Sequence, residues 1–253
     1  MTCLDFSLDA PVALVRLAMP PDANNALGLS TVRELQLATA QACQDPATKI
    51  LIFTGTGRSF SAGASVDEID RANADEMAAL LRAGQSLVRQ IMELDVISLA
   101  ALNGLTLGGG LELALACDIR WAHARAVFGL PEARLGLIPG WGGISLLWRT
   151  VPESLCVEML VGGECISARR AYEAGLVSRL FDNPDFEAAV KSEAKKLADQ
   201  DPGVLKEVKA LLKRERGRLD LSAGDRAFLP LWNGRAHRAR ASAGAGGSGR
   251  RPT

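Results

Sequence analysis

Glu112 follows three consecutive glycines, Gly108-Gly109-Gly110, which close the segment Leu102-Asn103-Gly104-Leu105-Thr106-Leu107. Glycines let a backbone approach a ligand closely, and the first turn of a helix leaves N–H donors unpaired and partly positive. Such donors suit an oxygen that gains negative charge, as a carbonyl does on becoming an enolate. Glu112 would stand one turn from that oxygen as an acid–base group. An equal alternative is structural: the glycines permit tight helix–strand packing and Glu112 caps the dipole. A second carboxylate, Glu132, lies between Phe128-Gly129-Leu130-Pro131 and Ala133-Arg134-Leu135-Gly136-Leu137-Ile138-Pro139-Gly140-Trp141-Gly142-Gly143. Proline after a short strand, with Pro-Gly and Gly-Gly pairs beyond it, fixes a turn-rich segment. Apolar neighbours would raise the carboxyl pKa and suit it to proton donation. The plainer reading leaves Glu132 exposed or paired with Arg134.

A further donor is available in Gly55-Thr56-Gly57-Arg58-Ser59-Phe60-Ser61-Ala62-Gly63-Ala64-Ser65-Val66, where a small-residue loop after a strand presents a backbone N–H at Ala64. Phe60 stands where a dinucleotide fingerprint needs glycine, and the Gly-Lys-Ser/Thr of a phosphate loop is absent.

These residues need an alternating framework. Strands are predicted at 12–17, 50–54 and 96–101, with helices at about 30–44 and 74–94. The second helix carries Met77, Leu80, Leu81, Leu87, Val88 and Ile91 at helical spacing. Two short strands, 118–122 and 126–130, follow the Glu112 helix, and further helices run toward 175. Strands so interleaved with helices imply an α/β fold. From about 185 to 218 the pattern is amphipathic and charged, predicting helices that pack on the core or on another subunit. The Lys206–Arg218 basic residues are expected on a solvated face, with an anionic ligand as the alternative. Residues 239–253, rich in Ala, Gly, Ser and Arg, are expected to be disordered.

Composition limits the function classes. Of 253 residues, 48% are hydrophobic and 23% charged, ordinary usage for a soluble globular chain with a substantial core. Basic and acidic residues number 29 each, which argues against a general nucleic-acid binder. The five cysteines, Cys3, Cys43, Cys117, Cys156 and Cys165, are scattered without a C-x-x-C pair and read as reduced, mostly buried thiols. Residues 1–10 show no leader pattern and no apolar run reaches a membrane span, so a cytoplasmic protein is expected. Neither His123 nor His237 lies near a nucleophile pattern, and His123 is expected at a core or edge position.

Ser61-Ala62-Gly63-Ala64, Asn103-Gly104, Gly108-Gly109-Gly110-Leu111-Glu112-Leu113-Ala114-Leu115-Ala116-Cys117-Asp118, Pro131-Glu132 and Leu135-Gly136-Leu137-Ile138-Pro139-Gly140-Trp141-Gly142-Gly143 together resemble the enoyl-CoA hydratase/isomerase, or crotonase, family over about residues 10–215. The resemblance implies a crotonase-like spiral of repeated ββα units (1–185), a C-terminal helical region for packing and trimerisation (186–238) and a tail (239–253). It implies an acyl-CoA thioester substrate, no metal, no separate cofactor because coenzyme A is part of the substrate, no nucleic-acid or membrane partner, and a homotrimer or homohexamer. By position it assigns the oxyanion hole to the amides of Ala64 and Gly109, and catalysis to Glu112 (water activation) and Glu132 (α-carbon protonation). Substrate contacts fall to Ala62, Gly63, Ser65, Val66 and Trp141.

Glu112 and Glu132 are 20 residues apart, as in the hydratases of the family, and retention of both favours reversible water addition to a trans-2-enoyl-CoA in fatty-acid or amino-acid catabolism. An isomerase or decarboxylase on the same scaffold, or a non-catalytic acyl-CoA-binding subunit, remains open. Three departures stand out. Ser65 replaces an aspartate common among relatives, Trp141 is larger than the usual residue and either walls the acyl pocket or anchors a turn, and Phe228-Leu229-Pro230-Leu231-Trp232-Asn233 replaces the usual acidic C-terminal segment.

Overall fold

The computed structural model describes residues 3–216 and 228–235. A six-stranded sheet carries β1 (Leu4–Asp9), β2 (Val12–Leu17), β3 (Ile50–Gly55), β5 (Ile97–Leu102), β7 (Ile119–His123) and β10 (Arg179–Phe181) in that spatial order. β1 is antiparallel to β2, and the remaining neighbours are parallel. A second sheet carries β4 (Ser59–Ser61), β6 (Leu105–Leu107), β8 (Val127–Gly129) and β9 (Cys165–Ser167), the first three parallel. The helices are α1 (Leu29–Ala42), α2 (Val66–Arg71), α3 (Ala74–Met92), α4 (Gly109–Ala116), α5 (Gly143–Trp148), α6 (Glu153–Val161), α7 (Ala168–Glu173), α8 (Phe186–Ala198) and α9 (Pro202–Arg216). Residues 228–235 are also helical.

The repeat is visible in the strand assignments. β3, β5 and β7 each enter the large sheet, and each is followed by a short strand, β4, β6 or β8, in the small one. A helical segment then leads to the next turn. This is the α/β spiral of ββα units expected from the resemblance.

Why the central strands read as unbroken apolar runs is clear from their surroundings. Every residue of β3 and β5 is buried, because both faces of the large sheet are covered. Ala13, Val15, Leu17, Leu51 and Phe53 face one core, with α1, α3 and α4; Val12, Leu14, Ile50 and Ile52 face another, with Phe186, Val190, Ala194 and Ala198 of α8. α8 is further tied down by Glu187, whose carboxylate meets the Arg16 guanidinium at 2.6 Å. It therefore packs on its own core.

α9 docks by charge rather than by a broad apolar face. Lys209, fully buried, places Nζ 2.7 Å from Asp118 Oδ2, which also accepts from the Ser98 N–H and hydroxyl at 2.7 and 2.9 Å. Arg216 reaches Asp118 Oδ1 at 2.8 Å and donates to the carbonyls of Ala116 and Cys117, at the C-terminal end of α4. Burial lowers the Lys209 pKa, and Asp118 opposes that shift. Lys213 pairs with Asp95 on the surface. The expected solvated face of basic residues is thus corrected at Lys209, which neither faces solvent nor awaits a ligand.

Other expectations need adjustment. Only Cys117 and Cys156 are buried, while Cys3 and Cys43 are intermediate and Cys165 is exposed, because β9 lies at the edge of the small sheet. His123 ends β7, an interior strand paired with β10 through Phe181, where it is partly exposed, accepts the Arg125 N–H on Nδ1 and packs edge-on against Phe186; it is neither in the core nor on an edge strand. The tail 239–253 lies outside the described residues. No helix among the described residues is long and apolar enough to cross a membrane.

Removing one partner of a buried ion pair strands the other charge. Lys209→Ala is expected to lower unfolding free energy by about 3 kcal/mol in denaturant titration at pH 7. A loss below about 1 kcal/mol, the range of an exposed pair, would contradict this account of α9 docking.

Candidate active site

Ligands in α/β proteins gather beyond the carboxyl ends of parallel strands. The small sheet supplies three such ends side by side. β4 leads into Ala62–Ser65, β6 into Gly108-Gly109, and β8 into Leu130-Pro131-Glu132. The Gly108 N–H donates to the Gly129 carbonyl at 3.0 Å, holding the second and third ends together. On the other flank, the Leu27 N–H donates to the Gly63 carbonyl at 2.8 Å and the Ser65 N–H to the Leu27 carbonyl at 3.4 Å. In a parallel bridge the residue between those two bonds turns its own N–H the other way, so Ala64 directs its donor away from Leu27. A Cβ placed on Gly63 would lie 3.2 Å from the Gly109 nitrogen, so the two donor loops are in contact.

Each of the three glycines before Glu112 has its own reason. Gly108 has φ +49°, and a Cβ there would lie 3.0 Å from Glu132 Oε1. At Gly109 a Cβ would come 2.6 Å from the Trp141 indole, and at Gly110 2.7 Å from Ser61 Cβ. α4 is therefore pressed against β4 on one side and against Trp141 on the other. Gly109 opens the helix, where backbone N–H groups have no acceptor in the preceding turn.

One turn on, Glu112 is 2% exposed. Its Oε1 accepts the Trp141 N–H at 2.8 Å and the Gly143 N–H at 2.7 Å. Two short bonds from main-chain donors suit a carboxylate, which only accepts, better than a neutral acid. A Cβ on Gly143 would lie 2.8 Å from the same oxygen, so only glycine lets that amide approach.

Glu132 has the opposite surroundings. The residue as a whole is half-buried, but Oε2 is sealed from solvent without a hydrogen-bond partner. Burial first, and the neighbouring Glu112 second, push its pKa up to about 8. Arg134 does not neutralise it. That guanidinium pairs with Glu164 at 2.8 Å and donates to the Gly162 carbonyl, so the plainer expectation of a Glu132–Arg134 pair is corrected.

Both carboxylates border one cavity of about 240 Å³. Ala62, Ala64 and Val66 line it from the first loop, Gly108 and Gly109 from the second, and Met77, Leu80 and Leu81 from α3. Trp141 lines it too, so wall and turn anchor are one role: its backbone holds Glu112 while its ring closes a side of the chamber. Gly63 and Ser65 do not line it. Gly63 backs the Gly109 loop, and Ser65 Oγ accepts the Glu68 N–H as the N-cap of α2. Asn103, prominent in the sequence, works at a distance, with Oδ1 accepting from the Gly55 N–H and Nδ2 donating to the Gly57 and Ser59 carbonyls. It braces the β3–β4 turn.

Sequence reasoning misses several residues of the site, among them Gly143, Gly84 and Phe228 and the α3 side chains Met77, Leu80 and Leu81, which it assigns only to a core-facing helix. Phe228 lines the chamber and Trp232, beside it, donates its indole N–H to the Ile69 carbonyl. The signal was an apolar-aromatic cluster, Phe228 to Trp232, between charged flanks. The Ile69 carbonyl that Trp232 meets lies 163 residues earlier and carries no local mark.

Comparison with known proteins identifies the family. The enoyl-CoA hydratase/isomerase family profile matches residues 8–225. A probable enoyl-CoA hydratase of Bacillus subtilis is 37% identical over 214 residues, 84% of this chain and 82% of that protein. The 2,3-dehydroadipyl-CoA hydratase of Escherichia coli is 39% identical over 79% of this chain and 76% of its own length. The crystal structure of an enoyl-CoA hydratase from Bacillus anthracis superposes with a TM-score of 0.81 at 29% identity, covering 93% of this chain and 90% of that one. Sequence and fold thus agree that this chain belongs to the enoyl-CoA hydratase/isomerase family.

Proposed function

We propose that the protein is an enoyl-CoA hydratase, adding water reversibly to a trans-2-enoyl-CoA to give the 3-hydroxyacyl-CoA. The observation that carries this is the unequal pair of carboxylates on one apolar cavity: Glu112 held by two amides, and Glu132 half-buried, with Oε2 sealed from solvent and partnerless and its pKa raised to about 8. Environments that drive two acids apart are how one site holds a base and an acid at the same pH.

In this reading the Ala64 and Gly109 amides receive the thioester oxygen. Glu112 takes a proton from water as the water oxygen bonds to the β carbon; the π electrons move toward the thioester oxygen, forming the enolate. Glu132 then gives its proton to the α carbon as the carbonyl re-forms. The net change is H and OH added across the double bond, and a proton passing from Glu112 back to Glu132 resets the site. Each oxyanion donor would contribute roughly 3 to 4 kcal/mol to the barrier. The hydratase names of the relatives support this choice over isomerisation or decarboxylation. Among the described lining residues only the two glutamates are ionisable, which favours an uncharged acyl tail. The apolar stripe Val204, Val208, Leu211 and Leu212 on α9 is exposed and supports assembly into the trimers or hexamers of the family.

Loss of the crotonyl-CoA conjugated absorbance tests the activity. Glu112→Gln and Glu132→Gln should each lower kcat by roughly 10²- to 10⁴-fold while a saturated acyl-CoA still binds; unchanged rates in both would exclude the reading. Turnover of 3-enoyl-CoA without turnover of crotonyl-CoA would indicate isomerisation instead.

Hydration should fall as pH rises through about 8, where Glu132 loses its proton. Stability moves the same way. An acid whose pKa is higher in the folded state than in the unfolded one leaves the folded protein with more bound protons between the two values, so stability declines from about 4.5 to about 8. Glu132→Gln should remove that component of the decline in thermal melts across this range. An identical pH slope in wild type and variant would contradict the assignment.

A further inference from the structure

The indole of Trp141 is held between two glycines on different helices. A Cβ on Gly84, in the middle of α3, would lie 2.0 Å from Trp141 Cε2; a Cβ on Gly109, at the start of α4, would lie 2.6 Å from Cζ3. Neither position admits even a methyl group while the ring stays in place. Gly84 is buried inside a 19-residue helix, where glycine is intrinsically worse than alanine. Its presence there follows from the ring it accommodates. Trp141 is 3% exposed, and its own backbone N–H is the donor that fixes Glu112. The ring accordingly fills space beside Gly109, whose amide is the proposed oxyanion donor, while the Trp141 backbone meets the proposed base.

We infer that Trp141, seated on Gly84, is a specificity-determining residue that limits the bulk of the acyl group next to the reacting carbons. This rests on the hydratase reading for the identity of those carbons. The site would take 2-enoyl thioesters whose β carbon bears a slender, uncharged chain, and would exclude those bearing a ring there. Only the side chain is at issue, because any residue at position 141 other than proline retains the amide that holds Glu112.

The two ends of the contact make opposite predictions. Trp141→Leu removes a wall, so the kcat/KM ratio of cinnamoyl-CoA to crotonyl-CoA should rise by at least about 10-fold, the discrimination a small change in an apolar pocket gives. Gly84→Ala pushes the ring toward the chamber, so kcat/KM for crotonyl-CoA itself should fall. In the double variant Gly84→Ala with Trp141→Leu there is no ring to push, and adding the methyl should change crotonyl-CoA turnover by less than about 2-fold.

Folding of each variant is checked by circular dichroism, with Trp141→Phe as the milder substitution expected to move the ratio in the same direction. Parallel measurement of butyryl-CoA and 3-phenylpropanoyl-CoA affinity reads the wall without chemistry. Folded Trp141→Leu and Trp141→Phe proteins with unchanged ratios, or a Gly84→Ala penalty equal in both backgrounds, would overturn the inference. Absence of hydration in the wild type would refute the hydratase reading alone, and the affinity ratios would still decide the role of Trp141.

Discussion

The close seating of α4 between β4 and the loop after β8 is the constraint on which the site depends. α4 is short, with eight residues, and every one is buried. At Gly110 there is room for nothing larger against Ser61, while Gly108 takes a positive φ where a side chain would meet Glu132. With the helix that close, Gly109 stands beside the Ala62–Ala64 loop, and Glu112 reaches across to the amides of Trp141 and Gly143. The opposite end of α4 is secured by Arg216 on the Ala116 and Cys117 carbonyls and by the buried Lys209–Asp118 pair. Arg216 at the helix C-terminus meets the negative end of the dipole whose positive end is the open N–H donors at Gly109.

From that placement follows a difference in charge between two chemically identical side chains. Glu112 lies where main-chain dipoles converge, whereas Glu132, a few ångströms from Gly108, has apolar walls and a neighbouring acid. Two like charges in one apolar chamber are unfavourable together, so the proton resides where the charge is least supported. The acid–base asymmetry is thereby a consequence of packing, with no dedicated cation required to produce it.

Much of this was legible in the sequence because the informative patterns are local. The unbroken apolar runs of β3 and β5 report a sheet covered on both faces, and the 3.6-residue period of Met77 to Ile91 reports α3. Gly108-Gly109-Gly110 and Glu112 announced a close approach and a nearby carboxylate, and both are present. The three-residue strands β4, β6 and β9 were not distinguishable from loops, since so short a segment has no period and exists through its neighbours. Lys209 looked like any lysine on an amphipathic helix; its burial is decided by Asp118, 91 residues away. Gly84 and Phe228 carry roles defined only across the cavity wall, by Trp141 and by Leu81 and Gly140. Arg134 showed the reverse error, a neighbour in sequence whose charge is engaged by Glu164 instead.

The central claim is that one of the two chamber carboxyls stays protonated at neutral pH. Carbon-13 NMR of protein labelled at the glutamate side-chain carboxyl, titrated from pH 4 to pH 10, addresses it without substrate. The account predicts a resonance that titrates near 8 and disappears in Glu132→Gln. Titration of every glutamate carboxyl below about 5.5, within the ordinary range for exposed glutamates, would contradict it.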